Sequence, residues 1–202
     1  VPITSIDPQV LIEKCPQVKA LIPPPENMMK WVERQFLGAL VIENLETKNV
    51  FEFGTYEGYT TFILSKVNPD GHVYTLDLAE QQVHPEHPHQ FVGHHYKSNK
   101  CTNVTQFLEH SYTFDPAKVP PCDLVLVDAD HSYVSVLNDC KKALQMLRVG
   151  GILILHDFTA DENALVLGPQ YYVNANQDHD WFAVEGTGFV CRSKTEAEAI
   201  QC

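Results

Sequence analysis

Asn49-Val50-Phe51-Glu52-Phe53-Gly54-Thr55-Tyr56-Glu57-Gly58-Tyr59-Thr60 decides how the rest of the chain is read. A short apolar run, Asn49 to Phe53, stops at a glycine, and a second glycine follows four residues later. The run has the length and character of a buried strand. Paired glycines keep the following turn tight and let a ligand approach the backbone closely. Residues Thr60 to Val67 read as a helix, closed by the turn signal Asn68-Pro69-Asp70-Gly71. His72-Val73-Tyr74-Thr75-Leu76 is the next strand, capped by Asp77. A carboxylate at that strand end can accept hydrogen bonds from both hydroxyls of a ribose, so the unit predicts a nucleoside pocket.

Working outward, the same alternation continues. Val104 to Glu109 reads as a strand, and Asp123-Leu124-Val125-Leu126-Val127-Asp128 as a strand buried on both faces. Tyr133 to Leu147 reads as a helix stopped at Arg148-Val149-Gly150-Gly151, followed by the strand Gly151-Ile152-Leu153-Ile154-Leu155-His156-Asp157. Trp181 to Glu185 and Gly188 to Arg192 predict an antiparallel edge hairpin. Upstream, Met28, Trp31, Val32, Leu40 and Val41 recur at helical spacing to about Glu46, behind a Pro-punctuated start. Alternating strands and helices predict an α/β fold, with a doubly wound, mainly parallel seven-stranded sheet and a C-terminal antiparallel hairpin. The chain of 202 residues suits one domain. Within it we expect a helical cap over 1–47, a cofactor-binding core over 48–158, and an acceptor-side loop with the edge hairpin over 159–202.

The glycine loop discriminates between two cofactor classes. A dinucleotide site wants G-x-G-x-x-G with a helix N-terminus free to receive a pyrophosphate. Here the loop reads G-x-x-x-G and carries Glu52 and Glu57, which repel phosphate. Acidic residues suit a cofactor bearing a sulfonium and an amino group, which favours S-adenosylmethionine over NAD.

At these residues the sequence resembles the class I methyltransferases, Rossmann-like enzymes, and within them the small-molecule O-methyltransferases such as the catechol and caffeoyl-CoA enzymes. Glu52 to Thr60 is similar to their E-[IL]-G-x-[FY]-x-G-Y-S loop, and Val127-Asp128-Ala129-Asp130-His131-Ser132-Tyr133 to their V-D-A-D-K signature. The latter run matches better still a related group with D-x-D-H-S-Y. The resemblance spans roughly Asn49 to Phe158. It implies that Glu52, Gly54, Gly58 and Thr60 serve the methionine side of S-adenosylmethionine, with Tyr56 near the cofactor and Asp128 beside it. Asp77 would take the ribose, and Ser111 would lie near the adenine.

Asp128 and Asp157 end two strands expected to be neighbours, about 4.8 Å apart. Converging carboxylates repel unless a cation or proton lies between them. The resemblance implies Mg²⁺ or another divalent cation there, held by Asp128, Asp157 and either His156 or the residue after Asp157. That residue is Phe158, which cannot ligate, and in a regular strand His156 faces away from Asp157. His131 replaces the lysine that helps deprotonate the acceptor in the catechol-type enzymes. An imidazole can act as a general base near neutral pH, or as a third metal ligand. Asp128 and His131 are therefore the catalytic candidates.

His84, His87, His89, His94 and His95 crowd one Pro-containing stretch, which reads as a solvated loop near the cofactor, with metal binding the alternative. Tyr171, Tyr172 and Trp181 suit either an acceptor wall or the core. The net charge of −12 opposes nucleic acid as a partner, because nucleic-acid binders need basic surfaces. No apolar run approaches the roughly 20 residues that span a bilayer, and no membrane partner is expected. Six scattered cysteines without a C-x-x-C pair read as reduced thiols of a cytoplasmic protein. A small-molecule acceptor suits this field, and a homodimer is compatible with it. The lost lysine and altered metal pair leave one alternative to an enzyme: a non-catalytic S-adenosylmethionine-binding module acting through a partner.

Overall fold

The computed structural model of the protein describes residues 3–22, 30–43, 48–79, 92–159 and 167–199. Strand β1 (Thr4–Ile6) leads into helices α1 (Pro8–Lys14), α2 (Gln17–Leu21) and α3 (Trp31–Glu43). The alternating core follows: β2 (Asn49–Phe53), α4 (Tyr59–Val67), β3 (His72–Asp77), α5 (His94–Ser98), β4 (Val104–Leu108) and β5 (Cys122–Val127). After it come α6 (Tyr133–Met146), β6 (Leu147–Leu155), α7 (Gly168–Ala175), β7 (Phe182–Val184), β8 (Val190–Ser193) and α8 (Glu196–Ala199).

The strands form one sheet in the order β1-β7-β8-β6-β5-β2-β3-β4. Pairings from β6 through β4 are all parallel, whereas β8 runs antiparallel to both β6 and β7. Strand order reverses between β2 and β5, which opens a crevice at the carboxyl ends of those two strands. Asp123 fixes their relative height, since its Oδ2 accepts from the N–H groups of Lys48 and Asn49 at 2.8 and 3.0 Å.

Two expectations are corrected here. The sheet has eight strands, the additional one being β1, whose three residues are too few to show a period. Because β1 pairs in parallel with β7, the β7–β8 hairpin is interior and β1 is the edge. Two boundaries also shift. Strand β6 begins at Leu147, where it pairs with Cys122 before an irregularity passes through Gly150, a glycine at φ 76°. Helix α3 is buried over most of its circumference, so it is a core helix and not an amphipathic one.

Strand alternation distributes the core to two faces. Val50, Leu124, Leu126 and Ile154 face the helices α1 to α4 and pack with Ile12, Phe36, Leu37 and Ile63. Phe51, Phe53, Val125 and Val127 face α6 and α7, with Val136, Met146 and Trp181. Phe51 lies 4.8 Å from the ring of Phe53 and 5.3 Å from that of Phe114, contacts worth about 1 kcal/mol each beyond their buried area. Among the described residues no helix is long and apolar enough to cross a membrane.

Candidate active site

The crevice opens into a cavity of about 790 Å³, within the range that holds a drug-sized ligand. Its floor is the glycine loop between β2 and α4. Gly54 has φ 96°, and a Cβ there would lie 2.1 Å from the Asp128 carbonyl oxygen, so the first glycine is demanded by the neighbouring strand end. Tyr56, at φ 47°, occupies the left-handed region at some cost and is held by both of its backbone groups. Its N–H donates to Asp77 Oδ2 at 2.6 Å, and its carbonyl accepts from Gly93 N at 2.7 Å. Asp77 Oδ1 accepts from Leu78 N, so the carboxylate at the end of β3 is fixed by the loop it serves.

Gly54, Tyr56, Gly58, Thr60, Asp77, Ser111, Asp128, His131, His156 and Asp157 all line this one cavity. Glu52 does not: it is 1% exposed, on the α4 face of β2 with Val50. Its Oε2 accepts from the hydroxyls of Thr61 and Thr75, and the Thr75 hydroxyl bonds in turn to that of Thr55. Burial pushes the Glu52 carboxyl up to about 8 against those two hydrogen bonds. The alternation of β2 is the reason; a residue two before the strand's final glycine sits inside the sheet layer, beneath the cavity.

The second corner forms where β5 and β6 end side by side. Asp128 N donates to Phe53 O, and His156 N donates to Val127 O, so both strand ends are tied to the sheet. Asp157 then turns to φ 54°, which breaks the regular alternation. In consequence His156 and Asp157 reach the same corner, contrary to the expectation that they face opposite ways. His156 Nδ1 lies 3.0 Å from Asp128 Oδ1 and 3.5 Å from Asp157 Oδ1, and its Nε2 lies 3.6 Å from Glu33 Oε2. Burial opposes the charge, but hydrogen bonds to Asp128, Asp157 and Glu33 outweigh it and hold His156 at about 12, an imidazolium. The Asp157 carboxyl is lowered by its bond to His156 against burial.

His131 Nε2 stands 3.0 Å from Asp157 Oδ2. Its position is set by the start of α6. Asp130 accepts from Ser132 N and Ser135 Oγ, and Ser132 caps the helix by accepting from Ser135 N. Among the described residues Asp128, His131 and Asp157 bring three donor atoms within 4.8 Å of one another. That group includes His131 and not His156, whose two nitrogens face Asp128, Asp157 and Glu33.

Several lining residues were not anticipated. Arg34 enters from α3, although nothing in helical periodicity marks a charge inside an apolar helix as facing a cavity, and Glu33 lies beside it. Glu33 Oε1 accepts from Gly188 N and Oε2 from Lys30 N, tying α3 to the β7–β8 turn. Its carboxyl is held low because those bonds and His156 outweigh burial. The Arg34 guanidinium stacks on the Tyr59 ring at 3.9 Å. Tyr112 and Ser135 complete the wall beside Ser111. Of the aromatic trio, Tyr172 and Trp181 are core residues in edge contact, and Tyr171 is exposed against Tyr133. His84, His87 and His89 lie outside the described residues, while His95 packs on Tyr59 and faces Glu57 at 3.7 Å.

Residues 51–158, more than half of the chain, match the family model of a methyltransferase domain. The chain belongs to that family. Solved structures agree with this methyltransferase in fold. The cofactor-bound Rv0187 from MTB matches at TM-score 0.65 and 16% identity, covering 94% of this chain and 90% of its own. The O-methyltransferase TomG of Streptomyces achromogenes, solved with SAM, matches at TM-score 0.62 and 16% identity, over 92% and 89% of the two chains. An O-methyltransferase of Bacillus cereus, solved with SAH, matches at TM-score 0.62 and 18% identity, over 90% and 89%. No curated protein sequence matches the chain.

Proposed function

We propose that the methyltransferase uses S-adenosylmethionine to methylate a hydroxyl of a small molecule. The observation that carries this reading is the single cavity in which a strand-end carboxylate, Asp77, and a histidine–carboxylate pair, His131 and Asp157, are both presented. The donor set fits the cofactor. Asp77 would accept from ribose hydroxyls, Ser111 would lie beside the adenine, and Gly54, Tyr56, Gly58 and Thr60 would receive the methionyl side, all of them lining the same cavity. When bound, S-adenosylmethionine supplies a methyl group on a sulfonium, an electrophile that needs no further activation.

The protein's work is then positioning and proton removal. Asp128 orients the acceptor oxygen at the end of β5. His131 takes its proton, with Asp157 holding the imidazole and stabilising the charge it acquires. His156 would offset part of the negative charge around it, which eases the repulsion between Asp128 and Asp157.

A second reading of the same corner is favoured by the clustering of Asp128, His131 and Asp157. Those residues would hold a divalent cation, whose charge would fix the acceptor oxygen, and His131 would then be a ligand and not the base. Transfer that survives EDTA supports His131 as base; transfer lost to EDTA and restored by Mg²⁺ or Mn²⁺ supports the ion.

The cofactor is tested by calorimetric titration of S-adenosylhomocysteine into the parent and Asp77→Ala. We expect micromolar binding that weakens about 100-fold in the variant, as two charge-assisted hydrogen bonds are lost. No binding to the parent would overturn the reading. Binding without methyl transfer to any hydroxylated acceptor would leave the non-catalytic module instead.

A further inference from the structure

We propose that Arg34 forms a carboxylate subsite for the amino-acid tail of the cofactor, an inference that rests on the S-adenosylmethionine reading above. The tail is a zwitterion, and its carboxylate must be placed in a cavity lined by Glu57, Asp77, Glu109, Asp128, Asp130 and Asp157. Arg34 is the one arginine or lysine among the described lining residues. His156 also lines the cavity, but its charge is shared among three carboxylates.

Position agrees with charge. The Arg34 guanidinium lies over the ring of Tyr59, the residue between Gly58 and Thr60, and both of those neighbours line the cavity on the side assigned to methionine. Stacking fixes the plane of a guanidinium by its face, and the N–H fork in that plane matches a carboxylate in bidentate fashion. Arg34 is 2% exposed, so water screens its field little and a carboxylate drawn to it gains more than it would at the surface. Glu33, its neighbour in sequence, also acts on the Arg34 charge, while its own oxygens accept from Lys30 N and Gly188 N.

The test compares S-adenosylhomocysteine with its decarboxylated analogue, which keeps the adenosine, sulfur and amine. Calorimetry is run on the parent, Arg34→Met and Arg34→Lys. We expect Arg34→Met to weaken S-adenosylhomocysteine about 30-fold and to leave the decarboxylated analogue within about twofold. Arg34→Lys keeps a point charge and loses the planar fork, so a smaller loss of about fivefold is expected, again confined to the carboxylated ligand. The analogue also reports whether each variant retains a folded pocket. Equal weakening of both ligands by Arg34→Lys, or no weakening of either, overturns the subsite while the cofactor reading stands. A parent that binds neither ligand overturns both.

Discussion

His131 shows how much one position at the end of a strand can carry. It follows β5, precedes α6, and is held by Asp157 at 3.0 Å, with Asp130 and Ser132 fixing the helix start beside it. His131→Ala should therefore lower turnover about 10²–10⁴-fold while S-adenosylhomocysteine affinity stays within about twofold, measured by steady-state kinetics and calorimetry. At this scale the sequence was informative wherever a side chain closes or follows a strand end, because topology alone sends Asp77 and Asp128 to the crevice, with His131 in the loop after β5. It did not show that period-two alternation sends Glu52 under α4, or that His156 reaches the corner because Asp157 takes a left-handed conformation. No residue type announces that turn. Arg34 was invisible for a different reason: a charge within an apolar helix reads as a solvated face until the helix is seen buried all round.

The loop between β2 and α4 is an element whose shape is set by its neighbours. Gly54→Ala would place a methyl group against the Asp128 carbonyl at a positive φ. A loss of about 2–4 kcal/mol in urea unfolding is expected, with S-adenosylhomocysteine binding weakened in whatever remains folded. Beneath the same loop, Glu52 gives β2 and α4 a pH signature. Its folded carboxyl sits at about 8, above the roughly 4.3 of an unfolded chain, so the native state holds an extra proton between those values. Stability contributed by Glu52 is thus complete at low pH and falls as pH rises through that window. Unfolding at pH 5, 6.5 and 8 should show Glu52→Gln gaining on the parent with each step upward. A constant difference would mean that Glu52 is already ionised. Element identity was legible from periodicity here, and boundaries were not: Leu147 belongs to β6 because Cys122 is its partner, a relation that local pattern does not contain.

Across the whole molecule, the order of strands and helices from Asn49 to Asp157 carried the fold, and the far edge of the sheet did not declare itself. Strand β1 is three residues long and finds its partner at the other end of the chain, Thr4 opposite Phe182. Removing residues 1–7 should leave β7 as an open edge, lowering the unfolding midpoint and promoting association, read by thermal melts and size-exclusion chromatography. The pairing also sets an order of events. Strands β2, β3 and β4 pair in succession, as do β5 and β6, and every one of these pairings, β2 with β5 included, can be made before β8 has left the ribosome. The contact between Thr4 and Phe182 must wait until residue 182 has left the ribosome. A ribosome-bound chain halted just past β6 would thus hold the glycine loop, Asp77, Asp128 and His131, but not the Gly188 backbone that anchors Glu33. Full assembly of that wall would wait for the β7–β8 turn to emerge.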